Sequence, residues 1–164
     1  MASTFIISPT SLGGRFGSEM NLADAEALLG ELAASADALH VEVGTSGRPP
    51  RSYAYLKINS SSDVEDYAII STPGVNWFEL EVAGGFHTGR ADDLATDEDV
   101  REYIENYFRA AIAYLGGDRS TGRSFLFRIP FVRIQTDDGT LKLHLSVRGD
   151  FKHVFGRASR ASGA

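Results

Sequence analysis

The chain carries four imidazoles (His40, His87, His144 and His153), twenty-two carboxylates and no cysteine. Without a thiol there is no disulfide framework, no thiolate metal site and no cysteine nucleophile. The histidines fall into no H-E-x-x-H or H-x₃-H spacing, so no metal is expected from local motifs. His144 alternates with Lys142 and Ser146 on what reads as a solvent face. His87 sits beside flexible glycines in Gly84-Gly85-Phe86-His87-Thr88-Gly89-Arg90 and reads as a surface histidine. A serine nucleophile would need a G-x-S-x-G elbow between strand and helix. Thr45-Ser46-Gly47 lacks the first glycine, and no helix follows it. Gly13-Gly14-Arg15-Phe16-Gly17 and the run from Gly116 to Gly122 match phosphate loops loosely, but neither is G-x₄-G-K-[ST]. The second follows a helix C-terminus, where the dipole has the wrong sign for phosphate. Both read as ordinary loops.

Carboxylate pairs are plentiful: Glu79 with Glu81, Asp92 with Asp93, and the Asp97–Asp99 run. Glu79 and Glu81 should share one face of a strand, roughly 7 Å apart. General acid–base work needs one of them desolvated. Beside an inward row of Phe78, Leu80 and Val82 they read as simply exposed. No catalytic residue and no cofactor is nominated, and the reading leans away from an enzyme. A site assembled from dispersed residues stays open.

Charge is unevenly distributed along the 164 residues. Residues 1–118 hold 7 basic and 19 acidic groups, a balance of −12; residues 119–164 hold 9 and 3, a balance of +6; together they give the net −6. From Glu79 to Glu105 there are 9 acidic and 2 basic residues. Such asymmetry bears on partners and association rates rather than on fold. It suits a basic protein partner and disfavours nucleic acid, whose phosphates a net acidic protein repels. The candidate contacts are Glu79, Glu81, Asp92, Asp93, Glu98, Glu102 and Glu105. The aromatics Trp77, Tyr53 and Tyr55 join them as interface anchors. Tyr53 and Tyr55 would either form an outer patch beside Lys57 or lie under a second layer such as the first helix.

The elements that must position these residues follow from periodicity. Asn21 caps a helix over about 22–36, with Asp24 in the capping-box position. Strands are expected over residues 3–8, 38–43, 53–58, 67–71, 77–82 and 86–89. Thr96, Asp97, Glu98 and Asp99 open a long helix over about 97–115. Its stripe runs Val100, Tyr103, Ile104, Tyr107, Phe108, Ala111, Ile112 and Leu115. Arg101 with Glu105, and Glu105 with Arg109, are four-apart pairs on the other side. Residues 125–136 read as a strand interrupted by Pro130, hence an edge strand or a bulge. Asp137-Asp138-Gly139 turns it into an alternating strand from Leu141 to Val147, and 151–155 packs one last piece. Consecutive strands between two helices specify an α+β fold: a largely antiparallel twisted sheet with the long helix packed on it. Residues 1–155 form a single domain and 156–164 a flexible tail. With no signal peptide and no apolar run of roughly 18 residues, the expected location is the cytoplasm and no membrane is expected as a partner.

One stretch carries a family likeness. Trp77-Phe78-Glu79-Leu80-Glu81-Val82-Ala83-Gly84-Gly85-Phe86 fits a W-[FL]-x-L-x-V-x-G-G-[FY] strand and turn. An acidic segment follows, then Val100-Arg101-Glu102-Tyr103-Ile104 through Ala113-Tyr114-Leu115. Residues 77–115, about a quarter of the chain, resemble small actinobacterial immunity-type proteins encoded beside polymorphic toxins. The resemblance implies a non-enzymatic binder that masks the active site of a cognate toxin, and it carries no catalytic residue over. The alternative is a small-ligand-binding or scaffold protein with a pocket between helix and sheet. Oligomeric state is open.

Overall fold

The computed structural model describes residues 20–36, 39–60 and 65–145. The strands expected over 3–8 and 151–155, and the boundary between domain and tail, lie outside these. The described chain is α+β: two helices and one eight-stranded antiparallel sheet. Helix α1 spans Leu22–Ser35, β1 His40–Ser46, β2 Tyr53–Asn59, β3 Tyr67–Thr72, β4 Asn76–Val82 and β5 Phe86–Asp92. Helix α2 spans Asp97–Gly116, followed by β6 Arg119–Arg123, β7 Pro130–Thr136 and β8 Gly139–Leu145. The strand order is β1-β2-β3-β4-β5-β8-β7-β6.

Both helices begin in capping boxes, Asn21 with Asp24 and Thr96 with Asp99, which satisfy amides that the first turn leaves unpaired. The Met20 amide donates to Asp97 Oδ1 at 2.7 Å, tying the two helix starts together. The α2 cap ends at Gly117, in the left-handed conformation with φ 96°.

Alternation sets the layers. On β2 the buried residues are Ala54, Leu56 and Ile58, and on β4 they are Phe78, Leu80 and Val82. These pack with Ala25, Leu28 and Leu29 of α1 and Val100, Ile104, Ala110 and Ala111 of α2 into one core. Helix α1 lies on β1 and β2, while α2 touches β3, β4 and β7. β3 and β7 stand four places apart in the strand order, so the sheet curls around α2. This curl explains why the buried arc of α2 includes Ala110 and Tyr114, outside the expected stripe, while Tyr103, Tyr107, Phe108, Ile112 and Leu115 are half-buried. Across the C-terminal end of α2, the Arg119 guanidinium reaches Asp66 with two bonds of 2.7 and 2.8 Å and lies 4.2 Å from the Tyr114 ring centroid. Arg119 starts β6 and Asp66 precedes β3, so the pair latches one flank of the curled sheet to the other.

Two expectations are corrected. The Gly116–Gly122 loop is in part a strand: β6 pairs along β7 from Arg119 with Ile134 to Arg123 with Pro130. The strand expected over 125–136 begins at Pro130, and it is an interior strand between β8 and β6 rather than an edge. Proline suits that first position because no ladder hydrogen bond is asked of its nitrogen. Gly122 is needed where it stands, since a Cβ there would come within 2.5 Å of the Phe131 ring.

Candidate functional site

Both helices occupy the sheet face of Leu56, Ile70 and Leu80. The strands therefore turn their alternate residues to the opposite face, which neither helix covers among the described residues. Tyr53, Tyr55 and Lys57 of β2, Tyr67 and Ile69 of β3, Trp77, Glu79 and Glu81 of β4, and His87, Gly89 and Ala91 of β5 share that face by register. Five of the ten nominated residues thus converge: Tyr53, Tyr55, Trp77, Glu79 and Glu81. The first helix lies on the other side, which decides the two tyrosines for the outer face.

This face is ordered rather than loosely solvated. The Tyr53 and Trp77 rings are tilted together with centroids 5.8 Å apart. The Tyr55 hydroxyl donates to Glu42 Oε1 at 2.7 Å. That bond first, and burial second, push the Tyr55 hydroxyl up to about 12. The Tyr67 hydroxyl donates to Glu81 Oε1 at 3.2 Å, and Lys57 Nζ lies 5.6 Å from the Tyr67 ring centroid. Burial raises the Glu81 carboxyl above the ordinary carboxylate value; the Tyr67 bond opposes this and the Glu79 charge adds to it. Ile69, beside Lys57 and Glu81 in register, is 4% exposed.

Next to this cluster Glu79 Oε1 meets His87 Nδ1 at 2.6 Å, with the carboxylate side chain 15% exposed. The expectation that Glu79 and Glu81 are simply exposed is corrected, and His87, part-exposed as a surface histidine, is engaged by Glu79. Cross-strand neighbours desolvate the two glutamates. Trp77, Glu79 and His87 wall an open cavity of about 470 Å³, and Gly89 and Ala91 leave its floor free of bulky side chains. A carboxylate, an imidazole and an indole around a small-residue floor can bind a cationic or planar group. Glu81, His87 and His144 occupy one row across β4, β5 and β8. No group of three histidines and carboxylates is placed to hold a metal ion among the described residues.

The remaining nominated carboxylates lie elsewhere. Asp92 accepts from the Tyr103 hydroxyl at 3.1 Å, Arg90 at 3.2 Å and the Leu94 amide at 3.2 Å, so it serves the helix side of the sheet. Glu105 pairs with Arg101 at 3.6 Å, as its spacing requires. The second four-apart partner, Arg109, is ion-paired with Asp138 at 3.0 Å. Asp93, Glu98 and Glu102 are exposed. The acidic stretch from Glu79 to Glu105 is therefore not one surface. The β4 carboxylates and those of α2 lie on opposite sides of the sheet, because alternation turns Glu79 and Glu81 away from the Leu80 face on which α2 packs. A shallow cleft of about 370 Å³ does lie where Phe108 and Ile112 of α2 meet Gln135 and Thr136 of β7.

The sequence reading missed Tyr67 as a member of the outer face and undervalued His87. Both alternate correctly on their strands, but only the pairing of β3 and β5 with β4 brings them beside the two glutamates. No protein-family model, curated protein or solved structure matches the chain. Among the described residues no helix is long and apolar enough to cross a membrane.

Proposed function

We propose that this protein is a non-enzymatic binding module of the cytoplasm that docks a basic protein partner on the sheet face opposite its two helices. In the setting that the 77–115 resemblance implies, the partner is a toxin domain whose active site is masked. The observation that carries the reading is the convergence of Tyr53, Tyr55 and Trp77 with Glu79 and Glu81 on the face opposite both helices. Aromatic anchors with ordered carboxylates beside them favour a cationic, partly apolar counterpart. Opposite charge also steers its approach.

The test is affinity capture from the native host's lysate at low and high salt, using three baits: the wild type, Tyr53→Ala/Trp77→Ala, and Glu98→Lys/Glu102→Lys. Thermal melts check that each bait is folded. The expected result is a basic partner retained at low salt, lost about tenfold or more by the aromatic variant, and little changed by the helix variant. Loss with the helix variant alone would move the contact to α2. Capture that ignores both variants, or no specific capture, would refute the reading.

A second reading, a small-ligand site, is favoured by the cavity at Trp77, Glu79 and His87. It predicts thermal stabilisation by small organic cations, abolished by Trp77→Ala.

A further inference from the structure

The β6–β7 hairpin ends in a loop that holds three consecutive apolar side chains in water. Phe125 is 101% exposed, Leu126 75% and Phe127 73%. Soluble surfaces scatter apolar residues singly, and a consecutive run at a protruding tip marks an interaction site. The loop's own bonds fix this display. The Arg128 amide donates to the Ser124 carbonyl at 3.0 Å, and the Ser124 amide to the Ile129 carbonyl at 2.9 Å. The Ile129 amide donates to Ser124 Oγ at 3.1 Å, and Arg128 takes the left-handed conformation with φ 53°. Arg123 and Arg128 flank the apolar tip, and both are exposed.

We propose that this loop is a reversible contact to an anionic lipid surface. Phe125, Leu126 and Phe127 enter the boundary between headgroups and acyl chains, while Arg123 and Arg128 stay at the level of the lipid phosphates. Three observations select lipid over a protein groove or a nucleic acid. Side chains on successive turn residues diverge, so they make a convex tip that a fluid interface can surround. Leu126 and the partly exposed Ile129 offer nothing to a nucleic-acid base, which would stack on aromatic rings alone. The charge of the last part of the sequence agrees: residues 119–164 hold 9 basic and 3 acidic groups, a balance that an anionic surface attracts. Insertion of a loop needs no spanning helix, so the expectation of no membrane partner, drawn from the lack of a span, does not reach this mode of contact. The proposal is independent of the sheet face opposite the helices.

The test is co-flotation of the full chain with vesicles of phosphatidylcholine alone and with about one-third phosphatidylserine. Two variants accompany the wild type: Phe125→Ser/Phe127→Ser and Arg123→Glu/Arg128→Glu. All four positions are exposed, and thermal melts verify the fold. Wild type should bind the anionic vesicles with half-saturation near 0.1–1 mM lipid, roughly the strength of a single acyl anchor, and should release with salt. The arginine variant should bind at least about 25-fold more weakly, roughly fivefold for each cation lost, with the two new carboxylates adding repulsion. The phenylalanine variant should lose at least tenfold. Absence of binding to either vesicle overturns the proposal, as does binding that ignores both variants. Loop-dependent retention of a protein or of single-stranded RNA without vesicle binding also overturns it, and assigns the tip to that partner.

Discussion

Breaking the latch between Asp66 and Arg119 should loosen the curl of the sheet and, with it, the hairpin that carries the apolar loop. The pair is bidentate, at 2.7 and 2.8 Å, and the guanidinium lies 4.2 Å from the Tyr114 ring centroid. The side chains are 34% and 18% exposed, so the pair belongs neither with fully solvated ion pairs nor with deeply buried ones. Exposed pairs contribute about 0.2–1 kcal/mol, and breaking a buried one costs about 3–5 kcal/mol. Two charge-assisted bonds in partial water place the coupling between Asp66 and Arg119 at about 1–2 kcal/mol. Asp66→Ala should cost about 2 kcal/mol, because the stranded guanidinium can still rehydrate. Arg119→Ala should cost about 0.5–1 kcal/mol more, because it also removes the cation from the Tyr114 ring.

Urea unfolding of wild type, both single variants and the double variant closes the cycle. The pH dependence supplies a second reading. The Arg119 hydrogen bond holds the Asp66 carboxyl below the ordinary carboxylate range. A group depressed on folding contributes fully above its unfolded pKa of about 4, and that contribution is lost as pH falls through the lower folded value. Asp66→Asn should therefore be most destabilised near neutrality and converge on wild type in acid. Hydrogen exchange should speed up in β6 and leave β2 unchanged. A coupling below about 0.5 kcal/mol, or an Asp66→Asn deficit that persists undiminished in acid, would refute the latch.

Three further outcomes follow from the same geometry. Phe78→Ala, at a side chain 1% exposed and 5.3 Å edge-on from Tyr103, should cost about 3–5 kcal/mol by chemical denaturation; a loss below 1 kcal/mol would mean that the layer between α2 and the sheet is loosely packed. Gly122→Ala should cost about 1–3 kcal/mol, because its Cβ meets a Phe131 ring held under Lys142 at 4.2 Å; shortening the ring with Phe131→Leu in the same chain should recover part of that. Glu81→Gln should stabilise the fold at neutral pH and not in acid. A carboxyl raised by folding adds stability below its unfolded pKa and loses it as pH rises through the folded value. Melts at pH 3 and pH 7 read the difference, and equal effects at both would count against a desolvated Glu81.

The parts of the fold that were legible are those where periodicity reports burial. Helix α2 carries both an acid-rich cap and an apolar stripe, and β8 alternates Leu141, Leu143 and Leu145 with polar residues. Strand β6 escaped because Arg-Ser-Thr-Gly-Arg lies at the sheet edge, where its side chains are mostly exposed and no apolar alternation is required. The opposite error befell Phe125, Leu126 and Phe127. A run of large apolar residues reads as a strand because such residues are usually buried, and here they are in water. At the candidate site, alternation placed Glu79 and Glu81 away from the core correctly. Their burial was out of reach because it comes from Tyr67 and His87, which are adjacent only once β3, β4 and β5 pair. The acidic stretch misled for a related reason: proximity in sequence says nothing about layer, and β4 and α2 present their carboxylates to opposite sides.

The contrast between two kinds of carboxylate bears on what the sheet face opposite the helices is for. Solubility is served by Glu98 and Glu102, which stand in water on α2. Glu81 is different. Its charged form is disfavoured by burial, so the fold would be better off at neutral pH with an amide there. Glu79 is held to His87 at 2.6 Å and Tyr55 to Glu42 at 2.7 Å, so the neighbouring polar groups are fixed before any partner arrives. Preorganised, partly desolvated carboxylates, with Glu79 the next same-face residue after Trp77 on β4 and Glu81 the one after that, give an incoming cation more than solvated carboxylates can, because less water and less side-chain motion must be removed on docking. If the face evolved to bind, Glu81→Gln should therefore separate the two quantities, raising the melting temperature at neutral pH while weakening capture of a basic partner. A variant that gained stability and lost nothing in binding would leave the glutamate as a cost without a return and remove Glu81 from the docking surface.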